Sequence, residues 1–320
     1  MDMFLKFIQA AVLAGTPILF GTLGEIINER SGHLNLGVEG MMALGAVAGF
    51  MCGYGTGSVT LSIIAAALAG MGAALIYAVL TVTFMANQNV TGLTLTIFGG
   101  GLSNFIGENM LTKSPTGSLK LSEQVTAGLA NIKISGLSSI PVLGTVVFSY
   151  NILVYIGIAI AIILSVYLFH TGKGLELRAI GENPAMADAS GVHVTKMKYI
   201  NLLIGGACCG IGGAYCSMIT CGGVWMANSV NGMGWIGVAL VIFASWHPTK
   251  AIFGSFVFGA FSVLKYYVSK NVIAIPNAFF DMLPFFITAL ILVFSSIRQS
   301  KEGAQPAACG LNYFREERYR

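Results

Sequence analysis

The chain has 320 residues, of which 55% are hydrophobic and only 9% are charged, and its mean hydropathy is +0.79. Soluble domains carry about a quarter charged residues, so this composition excludes a water-soluble globular protein. The 41 glycines are typical of helices that pack closely in lipid. The net charge of +4 indicates membrane topology rather than nucleic-acid binding. The sequence therefore predicts an all-α, polytopic transmembrane helical bundle.

About nine apolar stretches are candidates for membrane spans, and one of them is expected to be broken. They cover residues 4–23, 40–54, 59–84, 90–106, 150–169, 199–219, 235–245, 251–268 and 282–297. The second and seventh are shorter than the roughly 20 residues that cross a bilayer. Such spans are tolerated where the backbone lines a cavity rather than lipid. No cleavable signal peptide precedes the first stretch, so we expect it to direct insertion.

Basic residues set the expected orientation, because they concentrate in cytoplasmic loops. Residues 170–198 form a charged island between two apolar stretches, and the segment after residue 297 carries five basic residues: Arg298, Lys301, Arg315, Arg318 and Arg320. Placing both segments in the cytoplasm makes the long polar segment 107–142 external. The prediction is a membrane domain over residues 1–297 and a cytoplasmic tail over 298–320, with the N-terminus outside.

The cysteines and histidines do not form a metal-binding or disulfide pattern. The six cysteines mostly lie within or at the ends of apolar stretches, no C-x-x-C pair occurs, and the four histidines are scattered. We therefore expect no metal site, and free cysteines that act as small apolar residues.

Several functional classes lack their motifs in this sequence. No G-x-x-x-x-G-K-[ST] phosphate loop occurs, so the chain is not expected to bind ATP itself. No H-E-x-x-H or G-x-S-x-G motif indicates an enzyme, and no arginine-rich helix indicates a voltage sensor. Inverted repeats of the kind found in secondary transporters are not visible.

The charged island contains a short helix with signals at both ends. Asn183 is a suitable N-cap, Pro184 fits the first helical turn, and Gly191 fits the C-terminal stop after a helix over residues 185–190. A helix of one or two turns is too short to be a domain. An ordinary solvated loop and a helix held by an outside partner are equally compatible with this pattern.

A second polar stretch, residues 24–40, lies between two apolar segments. It contains Glu25, Glu29, Arg30, His33 and Glu39. A solvated cytoplasmic loop would explain these charges. A re-entrant or broken helix at membrane depth would explain them as well, and there ionisable residues usually mark a transport path. The residues alone leave both interpretations open.

Glycines at every fourth position, 45, 49, 53 and 57, predict a smooth helix face, and Gly206, Gly210 and Ala214 repeat the pattern. Such faces let two helix backbones approach closely, so we expect packing rather than substrate contact.

Three strings together resemble a known family: NERSGHLNLGVEGMMALGA, RAIGENPAMADASGV and GMGWIGVALVIFASWHP. They resemble the permease subunits of ABC importers, in the ribose/branched-chain amino acid permease superfamily. The NLGVEG string over residues 35–40 is similar to the nucleoside and simple-sugar branch. The resemblance implies a type II importer fold and covers residues 4–297.

The resemblance also implies roles for two sets of residues. A coupling helix that docks into the ATPase would involve Arg178, Gly181, Glu182, Asn183, Pro184, Ala187, Asp188 and Gly191. A translocation path with a broken helix would involve Asn35, Leu36, Gly37, Glu39 and Gly40, together with Asn87, Gln88 and Gly92. The third string, over residues 234–248, is expected to be structural.

The same resemblance implies the partners and the location. The chain would be a transport subunit, not an enzyme, and would hold no cofactor, because a separate ATPase uses ATP and Mg. A second homologous permease and an extracellular lipid-anchored or periplasmic binding protein would complete the importer in a bacterial plasma membrane, with membrane lipid around it and no nucleic acid. Nucleosides are the expected cargo; a simple sugar, a branched-chain amino acid, or ion-coupled secondary transport are the alternatives.

Overall fold

A computed structural model describes residues 2–132, 148–267, 277–298 and 304–314. The helices in these ranges are α1 (Asp2–Arg30), α2 (Val38–Thr56), α3 (Val59–Ala78), α4 (Gln88–Thr112), α5 (Glu123–Gly128), α6 (Ile152–His170), α7 (Gly172–Glu182), α8 (Pro184–Ala189), α9 (Val194–Tyr215), α10 (Met233–Phe243), α11 (Pro248–Tyr267) and α12 (Asn277–Arg298). Two π-helical turns, Val79–Thr83 and Cys216–Thr220, extend α3 and α9. The predicted all-α fold is confirmed.

The two ends of the bundle are named here by the segments that they carry. The loop end carries residues 171–193 and the described part of the tail, residues 304–314. The distal end carries residues 113–132 and 148–151. The start of α1 lies at the distal end, because the Gln9 side chain donates to the carbonyl of Ser149 at 3.0 Å. The tail lies at the loop end, where Ala308 N donates to the carbonyl of Gly181 at 2.9 Å.

Helix α9 lies at the centre and packs against α1, α2 and α3. These contacts are made by backbone: a Cβ on Gly45 would lie 2.3 Å from the carbonyl oxygen of Gly210, and one on Gly70 would lie 2.1 Å from that of Gly206. The predicted packing role of the glycine faces is confirmed. Gly57 is different, because its φ of +67° ends α2 as a left-handed C-cap.

The chain between α9 and α11 crosses the bundle in two parts, a non-helical segment followed by a short helix. Residues 221–232 are not helical and run from the distal end beside α4, and α10 then completes the crossing to the loop end. Backbone N–H groups of residues 221–232 donate hydrogen bonds to residues outside this segment. Trp225 N donates to Leu119 O at 2.9 Å, and Asn228 N donates to the Asn104 side chain at 3.1 Å. This arrangement explains why the seventh predicted span is short.

Within the described residues, six helices are long and apolar enough to cross a membrane: α1, α2, α3, α4, α6 and α9. Helix α10 has only 11 residues, and α11 and α12 have 20 and 22. Together these nine elements correspond to the nine predicted spans.

The C-terminal boundaries predicted for two stretches, the first and the fourth, were wrong by six residues or more. Helix α1 continues to residue 30 rather than 23, because its polar side chains find partners inside the protein. Helix α4 continues to residue 112, so the first six residues of the predicted external segment 107–142 are helical. Residues 133–142 of that segment lie outside the described residues, as do Lys301, Arg315, Arg318 and Arg320 of the tail.

Candidate transport path and coupling surface

The junction between α1 and α2, residues 31–37, is a break enclosed by protein. The Glu25 carboxylate accepts a hydrogen bond from the backbone N of Asn35 at 2.8 Å and another from the Asn28 side chain at 2.9 Å. Gly37 N donates to the Asn35 side chain at 2.9 Å. Glu25 and Asn35 are both 0% exposed. The solvated loop, one of the two alternatives left by the sequence, is therefore wrong.

Four of the predicted path residues meet where this junction crosses α4: Leu36, Gly37, Gly40 and Gly92. A Cβ on Gly92 would lie 2.7 Å from the backbone N of Leu36, and one on Gly40 would lie 2.2 Å from a carbonyl oxygen of α4. The Thr96 hydroxyl donates to Leu36 O at 2.8 Å. These four residues hold the α1–α2 junction against α4 by close packing, and their side chains offer no polar group that could bind a cargo.

Glu39, at the start of α2, connects the junction to α10. Its two carboxylate oxygens accept from the backbone N atoms of Gly232 and Gly234, each at 2.7 Å. The first N–H groups of a helix have no partner within the helix, and the helix dipole favours a negative charge there. Glu39 therefore caps the end of α10 that lies inside the bundle.

A cleft of about 440 Å³ opens beside Glu39. This distal cleft is lined by Glu39, Thr96, Ser103, Asn104, Asn228 and Asn231, among others. Thr96 is the ninth residue of α4, about 12 Å along the axis from the loop end at 1.5 Å per residue. The cleft therefore extends from the interior of the bundle toward the distal end.

The three asparagines of the distal cleft were not predicted from the sequence. The Asn104 and Asn228 side chains hydrogen bond to each other at 2.8 Å. Asn228 and Asn231 have left-handed backbones, with φ of +55° and +48°. An amide side chain inside an apolar stretch was the available signal for Asn104 only. Asn228 lies between two predicted stretches and 124 positions away, so no signal in the sequence pairs the two residues.

Asn87 and Gln88 lie at the loop end, not in the distal cleft. Asn87 caps α4 by accepting from Val90 N at 3.1 Å. Gln88 is buried: its Oε1 accepts from Leu34 N at 2.9 Å and its Nε2 donates to Leu311 O at 3.2 Å. Gln88 thus joins the α1–α2 junction to the tail.

The charged island folds into α7 and α8, and only the second was predicted. The predicted N-cap is confirmed, because the Asn183 side chain accepts from Met186 N at 3.1 Å. At the other end Gly191 has a φ of +86°, and Val192 N donates to Ala187 O at 3.1 Å. These bonds form a C-terminal cap that satisfies the last carbonyls.

The predicted coupling residues divide into buried and exposed groups. Gly181 and Ala187 are buried, and a Cβ on Gly181 would lie 2.4 Å from Arg30 O. Glu182, Asn183 and Gly191 are exposed, and Arg178, Pro184 and Asp188 are half-buried. Met186, which was not predicted from the sequence, is 65% exposed on the outer face of α8.

Phe169, at the end of α6, holds together a cluster beneath α7. The guanidinium carbons of Arg178 and Arg30 lie 5.1 and 5.7 Å from its ring centroid, and the His247 ring stacks on it at 4.3 Å. Burial and the charges of Lys250 and Arg30 lower the pKa of His247, which favours the neutral ring. Arg178 therefore packs inward rather than pointing to a partner.

The described tail, residues 304–314, lies across the loop end. Ala308 N donates to Gly181 O at 2.9 Å, and Ala307 N donates to the Glu182 carboxylate at 3.3 Å. The Asn312 side chain donates to Ala86 O at 3.2 Å, and the Tyr313 hydroxyl bonds to the Asp188 carboxylate at 3.1 Å. The tail is thereby bonded to the charged island, residues 170–198, and to the turn before α4.

A family model described as "Branched-chain amino acid transport system / permease component" matches residues 7–293. The chain belongs to this family. It is a permease component of the ABC transporter type and a multi-pass membrane protein.

Three relatives match the permease over most of its length. A putative glucose ABC transporter permease of Haloferax volcanii is 33% identical over 97% of both chains. A nucleoside ABC transporter permease of Lactococcus lactis is 32% identical over 98% of both chains. A guanosine ABC transporter permease of Bacillus subtilis is 33% identical over 89% of this chain and 90% of its own.

Proposed function

We propose that this permease is the membrane subunit of an ATP-driven importer of nucleosides. A separate ATPase subunit hydrolyses ATP with Mg, a second homologous permease completes the pore, and an extracellular binding protein delivers the cargo. The observation that carries this proposal is α8, a six-residue helix that is capped at both ends and exposed at the loop end.

Helix α8 has the features of a docking element. Its Ala187 side packs into the permease, while Met186 is 65% exposed beside the exposed Glu182 and Asn183. A short helix that presents an apolar side chain with polar neighbours fits a groove on a partner protein. We assign the ATPase to this surface. The buried coupling residues, Gly181 and Ala187, hold the helix in place.

A series of hydrogen bonds leads from α8 toward the transport path. The Tyr313 hydroxyl of the tail bonds to the Asp188 carboxylate on α8. The Leu311 carbonyl of the tail accepts from Gln88, and Gln88 accepts from Leu34 N in the α1–α2 junction. Asn35, the next residue, is bonded to Glu25. Movement of α8 by the ATPase would therefore be transmitted to the α1–α2 junction, which Glu39 follows at the start of α2, and this supports alternating access.

The distal cleft supports a neutral polar cargo. Its lining offers amide and hydroxyl groups from Asn104, Asn231 and Ser103, and no lysine or arginine among its described lining residues would pair with a carboxylate. Nucleosides and sugars carry hydroxyl groups that such side chains can bind. Two of the relatives are named for nucleosides or guanosine and one for glucose, so glucose-like sugars are the alternative cargo.

The proposed orientation places the loop end in the cytoplasm of a bacterial cell. Basic residues gather at this end, among them Lys173, Arg178, Lys196 and Lys250, as the positive-inside rule requires. The membrane domain would then cover residues 1–297 and the tail would be cytoplasmic. The start of α1 lies at the opposite end and would face outside.

The test is uptake of labelled nucleoside into vesicles that contain the permease, its ATPase, its sister permease and its binding protein. We expect uptake that requires both ATP and the binding protein. Glu182→Lys should abolish uptake while leaving membrane insertion unchanged, because it reverses a charge at the docking surface. Glu123→Lys makes the same change at an exposed distal position and serves as the matched control.

Each alternative gives a different result in these vesicles. Uptake that ignores ATP but collapses with an ionophore would mean an ion-coupled secondary transporter. ATP-dependent uptake of glucose or a branched-chain amino acid, with none of nucleoside, would change the cargo. Full nucleoside uptake by a well-expressed Glu182→Lys variant would refute the assignment of α8.

A further inference from the structure

A second cavity, of about 530 Å³, lies at the loop end and is separate from the distal cleft. This loop-end cavity is enclosed by the α1–α2 junction, the end of α3, the start of α9 and the tail. Its chemistry-bearing lining residues are His33, Asp188, His193, Lys196, Lys198 and Asn312. Four of these six are basic residue types, whereas the distal cleft has no lysine, arginine or histidine in its described lining.

Two buried groups in this cavity lack partners. His33 is 1% exposed, and neither of its ring nitrogens has a hydrogen bond among the described residues. Lys198 is 4% exposed. Among the described residues, its ammonium has no hydrogen bond and no carboxylate within 4.0 Å. Burying a polar or charged group without a partner costs free energy, so both groups favour a ligand that accepts hydrogen bonds.

The rim and walls of the cavity complete the arrangement. Lys196 and His193 are exposed at the rim, so a ligand can enter from the loop end. Asp188, the one carboxylate among the described lining residues, bonds to the Tyr313 hydroxyl at 3.1 Å and belongs to the wall formed with the tail. The Asn312 amide adds a neutral polar group on the same wall.

We propose that the loop-end cavity binds a small anion that carries a phosphate group, held by Lys198 and His33 at its floor and by Lys196 at its rim. Phosphate oxygens accept charge-assisted hydrogen bonds from lysine and bonds from an imidazole N–H. The volume leaves room for the organic group that carries the phosphate. The loop-end cavity shares no described lining residue with the distal cleft, so anion binding is tested separately from the proposed function.

Burial and the neighbouring charge of Lys198 lower the pKa of His33 well below its ordinary value. The neutral ring keeps one N–H, which is enough to donate to a phosphate oxygen. A bound anion beside it would oppose the effect of Lys198.

The test uses the full chain in nanodiscs of zwitterionic lipid, titrated with inorganic phosphate and with AMP in a calorimeter. We expect saturable binding at one site per chain, and at least a tenfold increase in Kd for Lys198→Met, which removes the charge and keeps the length. Lys196→Met, on the exposed rim, should give a smaller increase. Lys250→Met removes a charge from the same end but outside the cavity, and should leave the Kd unchanged.

A lipid headgroup could supply the same phosphate group, and a second arm distinguishes this source. Discs that contain phosphatidylglycerol would then retain that lipid on the purified chain, and Lys198→Met would release it; this result supports the site with lipid as its source. Lys196→Met covers the case in which Lys198→Met does not fold. If neither the soluble anions nor the anionic lipid bind in a manner that depends on Lys198 or Lys196, the proposal is wrong.

Discussion

The distal cleft and the loop-end cavity have similar volumes, about 440 and 530 Å³, but opposite chemistry. In the distal cleft, polar groups are bonded to one another: Asn104 to Asn228, and Glu39 to the start of α10. In the loop-end cavity, neither ring nitrogen of His33 has a hydrogen-bond partner among the described residues. Side chains of the distal cleft that hydrogen bond to each other can exchange those bonds for bonds to a neutral cargo. Basic side chains of the loop-end cavity that lack hydrogen-bond partners among the described residues favour a negatively charged ligand.

The difference in hydrogen bonding also predicts how strongly each cavity holds its ligand. The bond between the neutral Asn104 and Asn228 side chains is worth about 1 kcal/mol, so a cargo that replaces it is bound weakly enough to leave. Charge-assisted bonds in a buried site are about twice as strong. We therefore expect the distal cleft to be a path and the loop-end cavity to hold its occupant.

The largest effect is expected at Glu39, the one carboxylate among the described residues that line the distal cleft. Glu39→Leu removes the acceptor for Gly232 N and Gly234 N, and bonds to a charged acceptor contribute about 1.5–3 kcal/mol each. Nucleoside uptake should fall to background at normal expression. Glu39→Gln keeps one acceptor oxygen and should retain part of the activity. Full uptake with leucine at this position would show that α10 needs no cap.

A smaller effect is expected at Asn228. Because its φ is +55°, glycine is the substitution that removes the side chain without backbone strain. Asn228→Gly should raise the KM of uptake about fivefold, the value of one hydrogen bond of about 1 kcal/mol. The KM is measured from the dependence of the uptake rate on nucleoside concentration. Asn109→Gly, exposed outside the cleft, should leave KM unchanged; an equal rise in both variants would argue against cargo contact at Asn228.

The smallest effect concerns pH and the loop-end cavity. Because the pKa of His33 is lowered in the folded protein, the unfolded chain binds a proton first as the pH falls below about 6.5. Stability from this group is present above that pH and is lost below it. The Tm should fall more between pH 7.5 and 5.5 for the natural chain than for His33→Gln, by a few degrees. His170→Gln, at an exposed histidine, should follow the natural chain.

Local signals in the sequence predicted local structure well. The cap by Asn183 depends on residues within three positions, and Gly191 follows directly after the helix, so both could be read from the island. The cluster of Glu25, Asn35 and Glu39 was also recognised as unusual, but its enclosure depends on packing against α4, which no local pattern contains.

Long-range contacts explain what was missed. Asn104 meets Asn228 only because a non-helical segment runs beside α4, and Met186 is exposed only because the adjacent Ala187 faces inward. The tail was predicted from its charge as a plain cytoplasmic extension. Its described part instead binds Gly181 and Gln88 through backbone groups, which carry no signature in the sequence.

The backbone contacts among α2, α3 and α9 restrict where the protein can bend. Gly45 lies against Gly210 and Gly70 against Gly206 with no side chain between them, so these helices have no room to approach further and little freedom to tilt. They form a rigid frame. We therefore expect hinge motion where the backbone is not helical, including residues 31–37 and 221–232, and Glu39 connects the start of α2 to Gly232 at the end of the second segment.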